Sequence, residues 1–343
     1  MPPPLLERTD RGLYCAAGGF YVDPWEPVDR AVITHAHADH MRRGCRHYLA
    51  AEPARLVMRA RLYDDAEIET VPYGEGVAVD GVRVSFHPAG HVLGSAQVRL
   101  EHKGEVWVAS GDYKVRPDPT CAPFELVRCH TFITESTFGL PIYRWQPEEE
   151  VAAEVNAWWR QNREEGKASL VFAYSLGKAQ RVLALLDPAV GPIYTHGAVE
   201  RLTRAYRETG IDLPPTTYVT AARDAGKKDW AGSLIVAPPS SNGTAWMRKF
   251  GAVSTAFASG WMRIRGPRRR RAVDRGFVLS DHVDWPGLTE TVRATGAERV
   301  LVTHGYVAVV VRWLREQGLE ADPLASPYTG ERDDAAEPDD ETD

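Results

Sequence analysis

The sequence predicts an α/β protein in which one domain is interrupted by a second, smaller one. Residues 1–140 contain many short apolar strands, residues 141–275 alternate strands with amphipathic helices, and residues 276–328 return to the first pattern. Of the 343 residues, 43% are hydrophobic, which is enough to bury a substantial core. We therefore expect a first domain formed by 1–140 and 276–328, an insert at 141–275, and an acidic disordered tail at 329–343.

Strands of the first domain are predicted from short apolar runs and from alternation. Arg30–Thr34 is a short buried strand, and Val82–Phe86 alternates apolar with polar side chains. Ala96–Ser110 is interrupted by Lys103-Gly104, a turn pair that predicts a β-hairpin. Thr131–Thr134 and Arg299–Thr303 are further strands of this domain.

The insert is predicted to be a smaller α/β unit with parallel strands. Glu148–Arg163 has the apolar spacing of an amphipathic helix, Leu170–Ala173 is a buried strand, and Gly177–Leu186 is a second helix. Strands that alternate with helices in this way favour a parallel sheet. The first domain resumes with a strand at Gly276–Ser280 and closes with a helix at Val307–Gln317.

Cysteine usage and hydropathy argue against a secreted or membrane protein. Cys15, Cys45, Cys121 and Cys129 are scattered, with no CxxC pair, so no disulfide framework is predicted and a reducing cytoplasm fits best. The first residues contain no apolar signal core, and no apolar run approaches the ~20 residues of a membrane span. We expect a soluble protein of the cytoplasm.

Charge is distributed unevenly along the chain. The net charge is −6, but the last fifteen residues alone contain eight acidic residues and one arginine, so the remainder is close to neutral. The segment 263–275 contains seven arginines. Such a block can follow a phosphate backbone, or it can be a solvated loop. The negative net charge therefore does not exclude a nucleic acid partner.

The clearest motif is Thr34–His40, with the sequence THAHADH, directly after a predicted strand and before a predicted helix. His35 and His37 alternate along the loop and can share one metal ion, while Asp39 and His40 can face a second. Neutral imidazoles and carboxylates suit zinc, manganese or iron. Three histidines and one aspartate within six residues after a strand predict a metal site.

Further ligands are predicted where later strands end, because loops at one edge of a rigid sheet converge. His91, Asp112 and His304 each follow a predicted strand, and each lies near a glycine that permits close backbone approach. Asp23, in the segment FYVDP, also follows a strand. It is predicted to orient the histidine loop by accepting a hydrogen bond, the alternative being a simple turn aspartate before proline.

Together these residues predict two metal sites that share one carboxylate. The first site would contain His35, His37 and His91, the second Asp39, His40 and His304, and Asp112 would bridge them. A pair of divalent ions, zinc or manganese, activates water and polarises a phosphoryl oxygen. The sequence therefore predicts a two-metal hydrolase.

The motifs resemble, in order, those of the metallo-β-lactamase superfamily. Asp23 matches its first motif, HAHADH the second, His91 the third and Asp112 the fourth. The segments AGHVLGSA, GDY and ITESTFG, followed by SDHVD and THG, resemble the β-CASP nucleases within that superfamily. The resemblance covers residues from about 10 to 320. It implies an αββα metallo-β-lactamase sandwich with an inserted β-CASP α/β domain.

One branch of the group resembles this chain most. The opening RGLYCAAGGFYVDPWEPVDRAVITHAHADH and the later STAFASGWMRIRG are similar to the bacterial ligase-associated DNA exonucleases. That resemblance implies DNA as the substrate, and repair beside an ATP-dependent ligase and a helicase. A pocket for a terminal phosphate would favour attack on a single strand from the 5′ end, as in the related repair nucleases. No membrane partner is expected, because no apolar run is long enough to span a bilayer.

Two further catalytic roles follow from the resemblance to β-CASP nucleases. His282 would protonate the leaving oxygen or contact the scissile phosphate, and Glu135 would fix its tautomer. The alternatives are a surface histidine in a polar loop and a glutamate that caps a helix or forms an ion pair.

The insert is expected to supply contacts to nucleic acid. Ser175, Gly177 and Lys178 lie between a predicted strand and a predicted helix, where free backbone N–H groups can bind a terminal phosphate. Simple strand–helix packing is the alternative. Arg263 and Arg265 could pair with phosphates along a single strand.

Three other functions remain open at this stage. RNA enzymes of the β-CASP group usually have histidine at the last motif, where DNA enzymes often have valine, so His304 favours RNA processing. A small-molecule metallohydrolase for thioesters, lactones or lactams would not need the insert or the arginine block. A non-catalytic scaffold would have lost metal ligands, whereas all seven are present.

Overall fold

The computed structural model describes residues 4–62, 65–264 and 272–327. Within them the chain forms two compact units, one of residues 4–144 and 282–327 and the other of residues 145–281. The predicted acidic tail at 329–343 lies outside the described residues.

Strands and helices are numbered along the chain. The strands are β1 (Glu7–Thr9), β2 (Gly12–Cys15), β3 (Phe20–Val22), β4 (Arg30–Val32), β5 (His47–Ala51), β6 (Glu67–Val71), β7 (Gly76–Val79), β8 (Val82–Pro88), β9 (Ala96–His102), β10 (Glu105–Ala109), β11 (Thr131–Glu135), β12 (Ala168–Phe172), β13 (Ile193–Thr195), β14 (Thr217–Tyr218), β15 (Leu234–Ala237), β16 (Val253–Ala258), β17 (Arg275–Phe277), β18 (Arg299–Thr303) and β19 (Glu320–Pro323). The described helices are α1 (Arg55–Arg61), α2 (Glu148–Glu164), α3 (Lys178–Ala184), α4 (Gly197–Glu208), α5 (Val219–Asp224), α6 (Trp285–Thr295) and α7 (Val307–Glu316). Short 3-10 helices lie at Glu52–Ala54, Pro239–Ser241, Ala245–Phe250 and Gly260–Arg263.

Two mixed sheets form the first unit. One has the strand order β1-β2-β3-β4-β5-β6, and the other has the order β19-β18-β11-β10-β9-β8-β7. Apolar side chains from both sheets form one buried cluster, which includes Phe20 and Val32 from the first sheet and Phe86, Val98 and Ile133 from the second. The two sheets therefore face each other across a shared core, as in a sandwich.

Helices cover the outer face of the second sheet. A separate apolar cluster joins Leu288 and Val292 of α6 and Leu314 of α7 to Phe132 and Val300 of the sheet. This layer confirms the predicted α/β class and the stacking of helix on sheet in the first domain. It also fixes β11 and β18 as strands buried on both faces.

Several predicted strands have nearly the predicted bounds. The predicted hairpin is β9 and β10, which pair antiparallel with His102 opposite Glu105. Lys103 and Gly104 both have positive φ, 50° and 85°, as a tight two-residue hairpin turn requires. In β8, Val82, Val84 and Phe86 all point into the core, as the alternation predicted.

The helix predicted after the histidine motif is wrong. Turns occupy the region between His40 and β5, and Gly44 has a φ of 85°. The backbone N–H of Met41 donates to the carbonyl oxygen of His37 at 2.8 Å, but no helix continues from this turn within residues 33–46. The carbonyl oxygen of His37 accepts from His40 and Met41, which closes tight turns. The loop therefore connects β4 to the parallel strand β5 without a helix.

The inserted unit contains one sheet of the order β14-β13-β15-β12-β16-β17. All of its strand pairs are parallel, as predicted from the alternation of strands and helices. Helices and short 3-10 turns connect the strands and bury an apolar cluster around Leu170, Phe172, Ile235 and Phe257.

The end of the insert lies later than the sequence predicted. The strand expected at Gly276–Ser280 as part of the first domain is β17, and it pairs with β16 of the insert sheet. The compact inserted unit therefore extends to Asp281 rather than ending at 275. The local sequence of a strand does not specify which of two sheets it joins. This boundary therefore becomes visible only from the pairing of β17 with β16.

The cysteines are buried thiols. All four are thiols rather than halves of a disulfide, and burial raises the pKa of Cys129 to about 12, which keeps this thiol protonated at neutral pH. Among the described residues, no helix has both the length and the apolar character needed to cross a bilayer.

Two glycines with positive φ experience different surroundings. Gly94, in the loop after His91, has a φ of 76°, and a Cβ added there would lie 2.3 Å from the Cα of Ala54. Gly104, in the hairpin turn, has a φ of 85°, and a Cβ there would meet no atom within 4 Å. Gly94 therefore permits close contact between two backbones, whereas Gly104 only permits the turn.

We predict that Gly94→Ala destabilises the first unit more than Gly104→Ala does. Both changes impose left-handed strain of about 1–2 kcal/mol, but only Gly94→Ala adds overlap with the backbone of Ala54, for a total of about 3 kcal/mol or more. Urea denaturation of both variants and the unmodified chain measures the difference. Equal losses would show that the close backbone contact at Gly94 is absent in solution.

Candidate metal centre

The candidate centre lies at the carboxyl ends of neighbouring strands. In the second sheet, Asp112 follows β10, Glu135 ends β11 and His304 follows β18, and these three strands are parallel neighbours. The histidine motif follows β4 and Asp23 follows β3, which are parallel neighbours in the first sheet. Carboxyl ends of parallel strands gather loops at one edge, which is where ligands bind in α/β proteins.

The first group of donors gathers around His37. Nε2 of His35 lies 3.0 Å from Nδ1 of His37, and Nε2 of His91 lies 3.1 Å from the same nitrogen. Oδ2 of Asp112 lies 3.6 Å from Nε2 of His35 and 3.9 Å from Nε2 of His91. Imidazole lone pairs this close repel one another unless a proton or a cation lies among them. The donor set therefore suits a divalent metal ion.

The second group contains His40, His304 and the same aspartate. Nε2 of His40 lies 3.5 Å from Oδ2 of Asp112, and Nδ1 of His304 lies 3.7 Å from Oδ1. In the described part of the chain, none of the atoms His40 Nε2, Asp112 Oδ1 and His304 Nδ1 has a hydrogen-bond partner. Buried polar atoms are rarely left unsatisfied, so these three fit a second cation.

Asp112 lies between the two groups and is ionised by its surroundings. Burial raises the pKa of Asp112, but the neighbouring His40 and His282 outweigh burial and hold it well below its usual range. Burial and the neighbouring imidazoles, chiefly that of His40, hold the pKa of His35 well below its usual range. A carboxylate and a neutral imidazole are the protonation states that bind metal.

His40 differs from His35 because carboxylates surround it. Burial lowers the pKa of His40, but Asp112, Asp39 and Asp23 raise it well above its usual range. In the metal-free arrangement His40 therefore retains its second proton. A metal ion that binds Nε2 of His40 must displace that proton, so metal binding at this position releases a proton.

Asp23 holds the histidine loop from behind. Its Oδ2 lies 2.7 Å from Nδ1 of His40, which donates to it, and it also accepts from Oγ1 of Thr34 at 2.6 Å. Its Oδ1 accepts from the backbone N–H of Thr34 at 2.8 Å. These bonds direct Nε2 of His40 toward Asp112, which is the orienting contact that metal-binding histidines commonly receive.

Asp39 occupies a less central position than the other predicted ligands. Its Oδ2 lies 3.9 Å from Nε2 of His40, and its side chain is 28% exposed. Within the described residues, Asp39 belongs to none of the close donor groups, two of which are His35, His37, His91 and Asp112 and, beside it, His40, Asp112 and His304. A direct bond from Asp39 to the second metal stays a prediction.

Glu135 and His282 form a buried pair beside Asp112. Nδ1 of His282 lies 2.9 Å and 3.0 Å from the two carboxylate oxygens of Glu135, and 4.0 Å from Oδ2 of Asp112. Glu135 also accepts from the backbone N–H groups of Tyr113 at 2.9 Å and Thr137 at 3.4 Å. An Nδ1–H bond to Glu135 fixes the tautomer and leaves Nε2 for a different partner.

The predicted nucleic acid contacts of the insert differ in exposure. Ser175 and Lys178 are 3% and 1% exposed, and the backbone N–H of Gly177 donates to Oε1 of Gln180 at 2.8 Å. Arg263 is exposed in the 3-10 helix Gly260–Arg263. Arg265 lies outside the described residues.

Comparisons with known proteins point to one family. No family model matches the chain. A protein of Opitutus terrae named "Probable DNA ligase" is 35% identical over 319 residues, which are 92% of this chain and 30% of that protein. Ribonuclease TTHA0252 of Thermus thermophilus is 29% identical over 218 residues, 54% of this chain and 47% of that one. An RNase J-like protein of Methanocaldococcus jannaschii is 24% identical over 213 residues, 52% and 50% of the two chains.

Together with the gathered histidines and aspartates, these relatives support a β-CASP nuclease of the metallo-β-lactamase fold. The chain spans half or less of the length of each of the three relatives. A crystal structure of a protein of unknown function from Enterococcus faecalis V583 shares the fold, with a TM-score of 0.59, 11% identity, and coverage of 88% of this chain and 80% of that one.

The sequence prediction missed two polar residues that organise this centre. Thr34 links Asp23 to the histidine loop. The hydroxyl of Ser136 donates to the carbonyl oxygen of His304, whose φ is 55°. Both residues lie inside quoted motifs, directly beside His35 and Glu135. The sequence signal that could have identified them is a hydroxyl residue directly beside a predicted site residue.

We predict that Asp23→Asn weakens binding of the metal held by His40 about 10–100-fold, because the amide cannot hold His40 and Thr34 as the carboxylate does. Asp80→Asn is the matched control, since Asp80 has a φ of 45° against 44° for Asp23 but its side chain is 61% exposed. Competition with a chromophoric chelator measures both affinities. Equal metal affinity in the two variants would contradict the orienting role of Asp23.

Proposed function

We propose that the protein is a metal-dependent nuclease that hydrolyses DNA phosphodiesters, and that its substrate is single-stranded DNA cut from the 5′ end. The proposal depends on one observation above the others. His91, Asp112 and His304, far apart in the chain, meet the histidine motif in two buried donor groups that share Asp112. Two such groups suit two divalent ions, zinc or manganese.

The donor groups suit phosphodiester hydrolysis. Two divalent ions, when bound, supply an activated water at neutral pH and neutralise charge on the phosphoryl oxygens. His35, His37 and His91 would hold one ion, His40 and His304 the other, and Asp112 both.

Proton transfer to the leaving group is assigned to His282. Glu135 accepts from Nδ1 of His282, so a second proton, taken up on Nε2, is the one that the imidazolium can give to the leaving oxygen. Burial of Glu135, at 1% exposure, keeps water from competing for that hydrogen bond. Glu135 thus maintains the tautomer and orientation of the imidazole, while His282 moves the proton.

DNA is favoured over RNA because the relative named for DNA matches a larger share of this chain than the ribonuclease relatives do. The relative named "Probable DNA ligase" matches 92% of this chain, whereas the two ribonuclease relatives match 54% and 52%. RNA is the second candidate, and two observations favour it. His304 lies within the second donor group, and TTHA0252 is named a ribonuclease.

The biological setting is proposed from the same resemblance. A nuclease of this kind would work in DNA repair in the cytoplasm, beside a DNA ligase and a helicase. A 5′-directed exonuclease prepares ends for joining, which fits a relative whose name includes ligase. Exposed Arg263, together with Arg265, is proposed to follow the phosphates of the strand.

The proposed function predicts cleavage of 5′-phosphorylated single-stranded DNA by the purified protein in manganese or zinc. Matched DNA and RNA oligonucleotides, each with a 5′-phosphate or a 5′-hydroxyl and a 3′ label, separate substrate and polarity on a denaturing gel. Asp112→Ala is the control, because it removes a ligand from both donor groups and should abolish metal binding and cleavage together. Faster cleavage of RNA would support the second candidate. No cleavage of any strand in either metal, or equal cleavage by Asp112→Ala, would contradict the nuclease proposal.

We predict that His282→Ala lowers kcat about 10²-fold or more while metal content is unchanged, because the leaving oxygen loses its acid. Glu135→Gln should lower kcat less, since the amide oxygen still accepts from Nδ1. Steady-state kinetics and elemental analysis of the two variants check this order. Unchanged turnover in His282→Ala would remove His282 from the mechanism.

A further inference from the structure

The first residue of α3 forms a buried ion pair at the end of the inserted unit. Nζ of Lys178 lies 2.9 Å from Oδ1 of Asp281, and the two side chains are 1% and 3% exposed. The same ammonium lies 5.0 Å from the ring centroid of Tyr174. Both members of the pair belong to the inserted unit, and Asp281 is its last residue before His282.

A buried pair of this kind contributes little net stability but strongly favours one arrangement. Removing two charges from water costs about as much as their attraction returns, so an apolar pair of the same volume would stabilise the fold equally well. Either charge left alone in the interior would be far more costly. Asp281 is therefore constrained to remain beside Lys178.

A second contact from the same helix holds the residue before Asp281. The guanidinium of Arg181, one turn along α3, donates to the carbonyl oxygen of Ser280 and to Oε1 of Glu148. Its side chain is 4% exposed. Two successive residues are thus bound to α3, Ser280 through its backbone carbonyl oxygen and Asp281 through its side chain.

The turn that presents Lys178 is itself rigid. The side chain of Gln180 accepts from the backbone N–H of Gly177 at 2.8 Å and donates to the carbonyl oxygen of Ser175 at 3.0 Å. It also donates to Oγ1 of Thr203 in α4 at 3.1 Å. Lys178 is therefore fixed relative to its own sheet before it meets Asp281.

We propose that Lys178 is a positioning residue for His282, acting through Asp281, rather than a phosphate contact. The inference rests on the proposed function, in which His282 carries the proton. Consecutive Cα atoms are 3.8 Å apart, so the location of Asp281 limits where the backbone of His282 can lie. A misplacement of about 1 Å at a reacting group can cost about 10²-fold in rate. The buried carboxylate partner also neutralises the charge that a phosphate would require.

The test is a double-mutant cycle between Lys178 and His282. Lys178→Met keeps the length of the side chain and removes its charge, and we expect it to lower kcat about 10-fold or more with KM and metal content unchanged. Adding Lys178→Met to His282→Ala should cause no further loss, because a residue that acts only through His282 has nothing left to position. Multiplied losses, or a raised KM for 5′-phosphorylated strands, would overturn the proposal in favour of a phosphate contact.

Two further variants separate positioning from folding. Lys178→Arg keeps the charge and should retain most of kcat. The double variant Lys178→Met with Asp281→Asn leaves no charge unpaired and should fold even where Lys178→Met alone does not. We expect it to show the same loss of kcat, and full activity in this variant would overturn the proposal. An unmodified protein with no phosphodiesterase activity would instead overturn the proposed function, and the positioning role with it.

Discussion

The buried, ionised carboxylate of Asp112 is the constraint around which the candidate metal centre is arranged. An ionised carboxylate that is 3% exposed is tolerated only where opposite charge or strong donors surround it. Here imidazoles approach Asp112 from both sheets, with nitrogen–oxygen distances of 3.5–4.0 Å. Strand ends that are distant in the chain must therefore meet at one place. The pKa of Asp112 is lowered because these imidazoles, chiefly His40 and His282, stabilise its ionised form.

Rigid strand ends explain why so many ionisable groups can remain close together. β10, β11 and β18 are parallel neighbours, so Asp112, Glu135 and His304 begin from backbone positions that the ladder has already fixed. Hydroxyl and backbone donors then limit each side chain, as Thr34 does for Asp23 and as Tyr113 and Thr137 do for Glu135. These side chains need little reorganisation during a reaction, and such preorganisation is what electrostatic catalysis requires.

The inserted unit uses buried charge in a different way. Its sheet is wholly parallel, and several of its charged and polar groups are satisfied internally rather than presented to solvent. Lys178 with Asp281, and Arg181 with the carbonyl oxygen of Ser280, hold α3 against the final residues of the unit. The helix start that the sequence suggested as a phosphate site is thus occupied by contacts within the protein. Exposed cations such as Arg263 are better suited to a polyanionic strand.

The sequence by itself determined the α/β class, the hairpin at β9 and β10, the parallel insert and the set of histidines and aspartates that gather around Asp112. These features follow from local periodicity, turn residues and motif spacing, which are written in adjacent positions. Only the tertiary structure decided that turns rather than a helix follow His40, that β17 joins the insert sheet, and that Lys178 faces Asp281. Each of these depends on which residue supplies a hydrogen bond or a counter-charge, and local periodicity does not specify that partner. Asp281, more than a hundred residues from Lys178, leaves no mark on the pattern around Lys178.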